Sequence, residues 1–532
     1  MIFGYFKRKW SYLIHSRRSD ETAEAATVKP KVKIDKNLDK NLQELKTLLS
    51  DAQDLKIHPL RFGPDNCLSG ALIFIDGLVD NPTLTNAILR PLKNWPAEDP
   101  LPLEEANILE LLQQEVLCAS DVKKAASMPD LAEGCLSGDT VLLVDGCKGG
   151  LVVNSKGWEK RSVTEPQSES VVRGPREGFT ENLRTNTSLI RRKIRNGQLK
   201  VEQLTVGRKT RTGVCLMYLD GVANPKVVET VKYRINKLDV EAILETGYIE
   251  EYIEDAPYSP FGTVGYSEKP DVVAAKILEG RVAIAVDGTP FVLTAPMLFI
   301  ESFQTAEDYY GRPLYSSLVR ILRVFGFIIT VFSPAIYIAL LSFQNELIPT
   351  TLLFTVAKAR EGVPFPVFVE AFIMVLAFEI LREAGVRLPR PVGQAISIVG
   401  ALIMGEAAIN AGIVGAPMVI VIALTAVTGF LVPTQYDSSA ILRIVMMIMA
   451  GCFGFYGVAF GFIGLLVHLS TLESFGAHYL GSFDSDDAQD ALIRMPLWFM
   501  VRRPKEIARG DMKRGRRFIP PLRPHATDED EE

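Results

Sequence analysis

At 532 residues, with 48% hydrophobic residues and a formal net charge of −5, the chain has room for several domains and no bulk positive charge of the kind a nucleic-acid binder carries. Its six cysteines (Cys67, Cys118, Cys135, Cys147, Cys215 and Cys452) form no CxxC pair and have no histidine at ligand spacing. That excludes a zinc or disulfide framework and places the soluble part in a reducing compartment.

The first twenty residues, MIFGYFKRKWSYLIHSRRSD, are basic and aromatic but lack a continuous apolar stretch and a small-residue cleavage site. They do not read as a secretory signal; an anionic membrane surface or plain solvent would suit them. Residues 20–50 read as a polar linker running into a short helix, so 1–50 is set apart as a basic segment and linker.

A first α/β module is expected over 51–160. Residues 71–75 are a strand turned by Asp76-Gly77, and Pro82 fits the first turn of a helix that runs to Leu92. Runs 141–144 and 150–153 flank a Gly-containing turn and predict a hairpin. The pattern then recurs. Residues 214–219 form a strand, Asp220-Gly221 turns it, 226–238 is an amphipathic helix, and 282–286 with 291–294 makes a second hairpin. FIDGLVDNP at 74–82 matches YLDGVANP at 218–225, and SGDTVLLVDG at 137–146 matches EGRVAIAVDG at 279–288. The aspartates of these matches are offset by 144 and 142 residues, and two matches in order at nearly one offset argue for two copies of one module. The second module takes 179–312, after a Pro/Ser/Glu linker at 161–178. It opens on a helix, 179–195, bearing Arg184, Arg191, Arg192, Lys193 and Arg195. A solvated basic face is the expectation there, with acidic lipid or a partner as the alternative.

From 313 the character changes. Apolar runs at 321–343, 365–381, 392–414, 417–432 and 441–469 follow one another with short charged joints. A bilayer core about 30 Å thick takes about 20 apolar residues per helix, so 313–470 reads as an all-α polytopic transmembrane domain of four to five spans. The fold class expected is an α+β N-terminal region of two related α/β modules followed by that domain. Residues 471–532 form a basic, then acidic tail. Positive charge beside the first and last spans puts both ends on the cytoplasmic side. Five runs are odd and two cytoplasmic ends need an even count, so four crossings plus intramembrane pieces are expected. The break at 412–417 and the short run 347–357, between Pro349 and Pro364, are the pieces expected to dip in beside a pore.

No Walker A loop, GxGxxG, GxSxG or HExxH is present, and the five histidines are dispersed. The expectation is a non-enzyme with no cofactor and no metal. The informative polar groups lie in the apolar runs. Glu370 and Glu379 are nine residues apart on one predicted helix and point to nearly opposite sides, whereas Glu406 and Asn410 share a face. A carboxylate at bilayer depth costs roughly 2.5–3.5 kcal/mol unless it meets water, a partner or a proton. Glu379, close to Arg382, has a local structural reading. For Glu370, Glu406 and Asn410 a cation pathway or proton site stands beside an interhelix hydrogen bond. In the last run Gly451, Gly454, Gly457, Gly461 and Gly464, at spacings of three and four, predict one narrow stripe for close helix packing.

Three stretches resemble one family: GPREGFTENLRTNTSLIRRKIRN at 174–196, EDAPYSPFGTVGYSEKPDVVAAKILEGRVAIAVDGTPFVL at 254–293, and REGVPFPVFVEAFIMVLAFEILREAGVRLPRPVGQAISIVGALIMGEAAINAGIV at 360–414. They look like the A subunit of GerA-type spore germination receptors, over roughly 70–500. The resemblance implies a protein of the spore inner membrane acting with a transporter-like B subunit and a C-subunit lipoprotein. It implies a homo-oligomer in membrane lipid, a pentamer, forming a nutrient-gated channel for monovalent cations. Where many relatives have Gln, this chain has Glu406. A non-conducting scaffold, a sporulation-associated paralogue and a secondary transporter are the other readings. The last is weakened because the visible repeat is in the soluble half.

Overall fold

The structure, a computed structural model, describes residues 33–63, 66–95, 105–119, 121–157, 166, 169, 171–387, 405–481 and 490–514. The basic N-terminal stretch, much of the 161–178 linker, the third apolar run up to residue 404 and the acidic end of the tail lie outside them. The chain divides into two compact units, residues 1–51 with 55–158, and residues 52–54 with 159–532.

The first unit holds α1 (Leu38–Leu48), β1 (Leu55–Phe62), β2 (Leu68–Ile75), α2 (81–93), α3 (Glu105–Leu111), β3 (Val122–Ala125), α4 (Met128–Leu136), β4 (Thr140–Val144) and β5 (Gly150–Val153). Its strands pair antiparallel in the order β1-β2-β4-β5-β3. Strand alternation sends Leu72, Leu142 and Leu151 to one face against Ile88, Leu92 and Leu112. Ile73, Val141 and Leu143 go to the other, against Leu45, Met128 and Cys135. Helices cover both faces, so β2 and β4 are apolar at nearly every position instead of alternating.

The second unit begins the same way, with α5 (Leu183–Lys193), β6 (Leu199–Val206), β7 (Thr212–Leu219), α6 (Pro225–Asn236), α7 (Thr246–Ile253), β8 (Gly265–Ser267), α8 (Pro270–Glu279), β9 (Val282–Val286) and β10 (Val292–Ala295). The sheet order β6-β7-β9-β10-β8 copies the first, and the sequence offsets hold in the pairing. Gly70 lies opposite Val144, and Val214, 144 residues on, lies opposite Val286. The repeated Asp-Gly turns do one job in both copies. Asp145 accepts from the backbone N–H of Leu38 at the start of α1, and Asp287 from that of Leu183 at the start of α5, each at 3.1 Å. Both turn glycines, Gly146 and Gly288, sit at positive φ, which a side chain would strain.

The repeat also reaches further upstream than expected. Asn37 and Asn182 cap α1 and α5. Buried Asn41 exchanges hydrogen bonds with the backbone of Asp35, as buried Asn186 does with Thr180. Residues 35–48, read from sequence as the end of a linker running into a short helix, therefore supply the first helix of the module. The basic face of α5 is a second correction. Arg191 is 2% exposed and grips Asp54 with two 2.8 Å bonds, while Arg192 and Lys193 pair with Glu177. Arg191 is thus engaged inside the unit, while Arg184, Lys193 and Arg195 are exposed as a solvated face would be. All six cysteines are free, and burial pushes the Cys135 and Cys215 thiols up to about 12, so they pack as apolar groups.

The helical part of the second unit comprises α9 (Pro313–Ser342), α10 (Thr350–Ala359), α11 (Val367–Arg387), a helical stretch at 405–410, α12 (Ala416–Gly429) and α13 (Tyr436–Thr471). Among the described residues, α9 and the 433–471 stretch are long and apolar enough to cross a membrane. The second of these is not one straight rod. Gly454 has φ 60° and ψ −140°, outside helical space. A Cβ on Gly461 would stand 2.5 Å from Met446 Sδ, and one on Gly457 would collide with the Met449 carbonyl. The two halves, 436–453 and 455–471, thus fold back on each other. Their outer ends return to one place, where Ser438 Oγ donates to the Pro260 carbonyl and His468 Nε2 lies 2.9 Å from Ser259 Oγ. The single glycine stripe read from sequence is corrected accordingly. Gly454 makes the turn, Gly457 and Gly461 let the halves touch, Gly451 faces Phe368 of α11, and Gly464 faces open space.

This hairpin defines two ends of the helical domain. At the near end are Ser259 and Pro260 of the second module. At the far end the Gly454 turn packs on Phe343, and Phe455 N–H donates to Gln344 at the end of α9. The short run 347–357 becomes α10, which buries none of its residues.

Candidate functional site

Three groups of polar side chains punctuate this apolar domain. The far-end group is built on Glu370, in the first turn of α11. Its side chain is 0% exposed. One carboxylate oxygen accepts the Gly415 backbone N–H at 2.7 Å, ahead of α12, and the other takes Arg360 at 3.2 Å. A negative charge at a helix N-terminus meets unsatisfied N–H groups and the positive end of the helix dipole. Gly415 has no room for a side chain, since a Cβ would lie 2.8 Å from Arg360 Cγ. Of the two readings open for Glu370, an ion path and an interhelix hydrogen bond, this geometry is of the second kind, with the side chain sealed and doubly engaged.

The near-end group is built on Glu379, two and a half turns along α11. It accepts from Arg443 at 2.8 Å, from Arg382 at 3.1 Å and from the Tyr436 hydroxyl at 3.1 Å. Arg382 also stacks on the Tyr436 ring at 3.6 Å. The local partner Arg382 was legible in the sequence, but the bond to 2%-exposed Arg443 was not. Its signal was present: an arginine inside an apolar run is too costly to leave unpaired.

A junction group ties α9 to the segment before it and to the tail. Arg320, 1% exposed, donates to Asp308 Oδ2 at 2.8 Å, to Asp490 Oδ1 at 2.9 Å, and to the Asp490 and Ala491 carbonyls at 2.7 and 3.1 Å. Arg323 reaches Asp308 at 2.9 Å, and Tyr309 donates to Asp490 at 2.9 Å. Burial raises the Asp490 carboxyl above its ordinary value, with Arg320 opposing that shift. In the sequence Arg320 and Arg323 are only part of the positive charge beside the first span.

Glu406 and Asn410 stand apart from all three groups. Both are exposed on the 405–410 helix. That helix packs on α12, where a Cβ on Gly405 would lie 3.1 Å from Val419. Ala408 packs against the domain core. Among the described residues neither Glu406 nor Asn410 has an ion-pair or hydrogen-bond partner. The surface around them is apolar, including exposed Ile409 and Ile413. Among the described residues, no three His, Cys, Asp or Glu side chains gather as metal ligands would.

The sequence profile described as "Bacillus/Clostridium GerA spore germination protein" matches residues 43–506. The chain is 44% identical to the "Uncharacterized membrane protein YfkQ" of Bacillus subtilis, over 91% of this chain and 93% of that protein. It is 43% identical to "Spore germination protein KA" of the same organism, over 91% of this chain and 89% of that protein. With "Spore germination protein GerLA" of Bacillus cereus it shares 36% identity, over 90% and 97% respectively. A crystal structure of the N-terminal domain of the A subunit of the Bacillus megaterium spore germinant receptor GerK3 matches at 36% identity with a TM-score of 0.41. It covers 50% of this chain and 97% of its own.

Proposed function

Because the chain belongs to the GerA family of spore germination proteins, we propose that it is a germinant-receptor A subunit that assembles with copies of itself into a gated monovalent-cation conduit of the spore inner membrane. A transporter-like B subunit and a C-subunit lipoprotein are its proposed partners, and a pentamer its proposed state. The observation that supports this most is Glu406 with Asn410, an exposed carboxylate and amide on an otherwise apolar flank. A charge there needs water or a neighbouring subunit, and a ring of copies around a wet pore supplies both.

The folded-back α13 supports a multi-pass arrangement with an even count. α9 runs from the near to the far end and α11 returns. The chain resumes at the far end at Gly415, α12 returns, and the two halves of α13 go out and back. Those are five passes among the described residues, and because the first starts and the last ends at the near end, the soluble modules and the tail fall on one side, in keeping with the positive charge beside the first and last spans. The scaffold reading draws on a different observation: Glu370 and Glu379 are both tied to arginines, as in a rigid support.

The test is potassium flux from proteoliposomes holding the purified chain, with oligomeric mass measured on the same preparation. The conduit reading expects flux from an oligomer, reduced severalfold by Glu406→Gln at unchanged mass. An intact oligomer that stays silent, alone and with B and C partners plus candidate nutrients, would leave the scaffold.

A further inference from the structure

A cavity of about 580 Å³ opens in the second unit, bordering the junction group at Tyr309. Its walls come from β8 and α8 of the module, the stretch after β10, the turn before α13 (Thr434 and Gln435) and the tail (Leu497 and Arg503). That volume lies within the roughly 300–1,000 Å³ of small-molecule sites.

The charges in its lining do not balance locally. Every cation is engaged. Lys276 Nζ lies 3.4 Å from Glu301 and donates to Thr294 Oγ1. Arg281 is held by Glu279, Glu301 and the Pro296 carbonyl, and Arg514 by Glu279. Arg503 donates to the carbonyls of Leu278, Asp511 and Lys513. Two acceptors are less well answered. Glu169 receives one hydroxyl, from Ser267 at 2.7 Å, and Glu250 has no hydrogen-bond or ion-pair partner among the described residues. Asp271 lies 3.7 Å from buried Lys269 and accepts from the Tyr310 hydroxyl, and Glu301 is paired with Lys276 and Arg281, so those two carboxylates are answered within the protein. A buried acceptor without a donor is costly to keep. Burial accordingly pushes the Glu250 carboxyl up to about 7 and raises Glu169. The remaining lining is largely apolar, with Val272, Ala275, Leu278 and Leu497, so a bare ion would leave most of the space unfilled.

We propose that this cavity binds a small organic molecule with a primary ammonium group, the ammonium donating to Glu250 and Glu169 and the apolar body lying along α8 and Leu497. Three N–H donors on one cation suit Glu250, which has no donor among the described residues, and Glu169, which has one. The occupant would touch the soluble module, the turn into the α13 hairpin and the tail at once.

The test uses the purified full-length chain and three probes of matched size: n-butylammonium, n-butanol and n-butyrate. Binding is read by ligand-observed saturation-transfer NMR. The expected result is transfer to the ammonium alone, with its Kd weakened at least tenfold in Glu250→Gln. Transfer should also be lost in Ala275→Trp and in Val272→Phe, two plugs on α8 whose folding is checked by circular dichroism. Equal transfer to all three probes, no transfer to the ammonium, unchanged affinity in Glu250→Gln, or ammonium binding that survives both plugs would each overturn the proposal.

Discussion

Replacing Met446 and Gly461 by cysteine in a Cys452→Ser background decides whether the last apolar run is one helix or two. The residues are fifteen apart, which on a straight α-helix separates their Cα atoms by about 22 Å at about 1.5 Å per residue. A disulfide tolerates at most about 7 Å. In the structure a Cβ at 461 stands 2.5 Å from Met446 Sδ, so two shorter cysteine side chains meet there once the thioether is removed. Mild oxidation in membranes should therefore give an intramolecular disulfide, read as a linked pair of peptides by mass spectrometry after proteolysis. A control pair, Met446→Cys with Gly464→Cys, should link poorly, because position 464 faces open space. No link within the chain at 446/461, or links only between chains in mixed mass-labelled preparations, would refute the hairpin and the even number of passes with it.

Other consequences follow from the buried charges. Arg320→Met leaves Asp490 without its cation, although Asp308 keeps Arg323. It should cost about 3 kcal/mol, the low end for breaking a buried pair, and should expose the tail to protease near Arg494. A double-mutant cycle with Asp490→Asn that shows no coupling would remove the link. Glu370→Gln should lower thermal stability by about 2 kcal/mol, in the range of hydrogen bonds to charged groups, while flux per assembled channel stays unchanged. A changed flux at unchanged stability would return Glu370 to the ion path. For Glu250 the sign runs against alkali. The unfolded carboxyl ionises near its ordinary value of 4.5, and the folded one holds its proton up to about 7, so stability falls as pH rises between those values. Glu250→Gln should match the wild type at pH 4 and melt higher at pH 8; an identical pH dependence for the two proteins would show that burial is not holding that proton.

Much of the soluble fold was legible because its signals are local and repeated. Val141 to Val144 and Gly150 to Val153 announce a hairpin by themselves, and the Asp-Gly matches at offsets of 144 and 142 carry through to strand pairing. The start of the first module was missed, because residues 35–48 are polar at the surface and their likeness to 180–193 rests on asparagines that hydrogen-bond backbone. In the helical part, length and hydropathy located α9, α11 and α12 but misjudged the last run, where five glycines at helical spacing look like a stripe. A change at one residue, Gly454, turns that stripe into a hairpin.

The sequence by itself determined the class of protein, since alternation, turn residues and apolar run length are properties of neighbouring residues. It also determined that Glu370, Glu379 and Glu406 needed an explanation, because a carboxylate in an apolar run is costly wherever its partner lies. Only the tertiary structure decided which explanation each receives. Glu379 meets Arg443 across 64 residues of chain, Glu370 meets Gly415 across 45, and Arg320 meets Asp490 across 170. Glu406 meets none of the described residues. Pairing at such separations is set by how helices return to one another, and that is a property of the packed chain that no short window of residues contains.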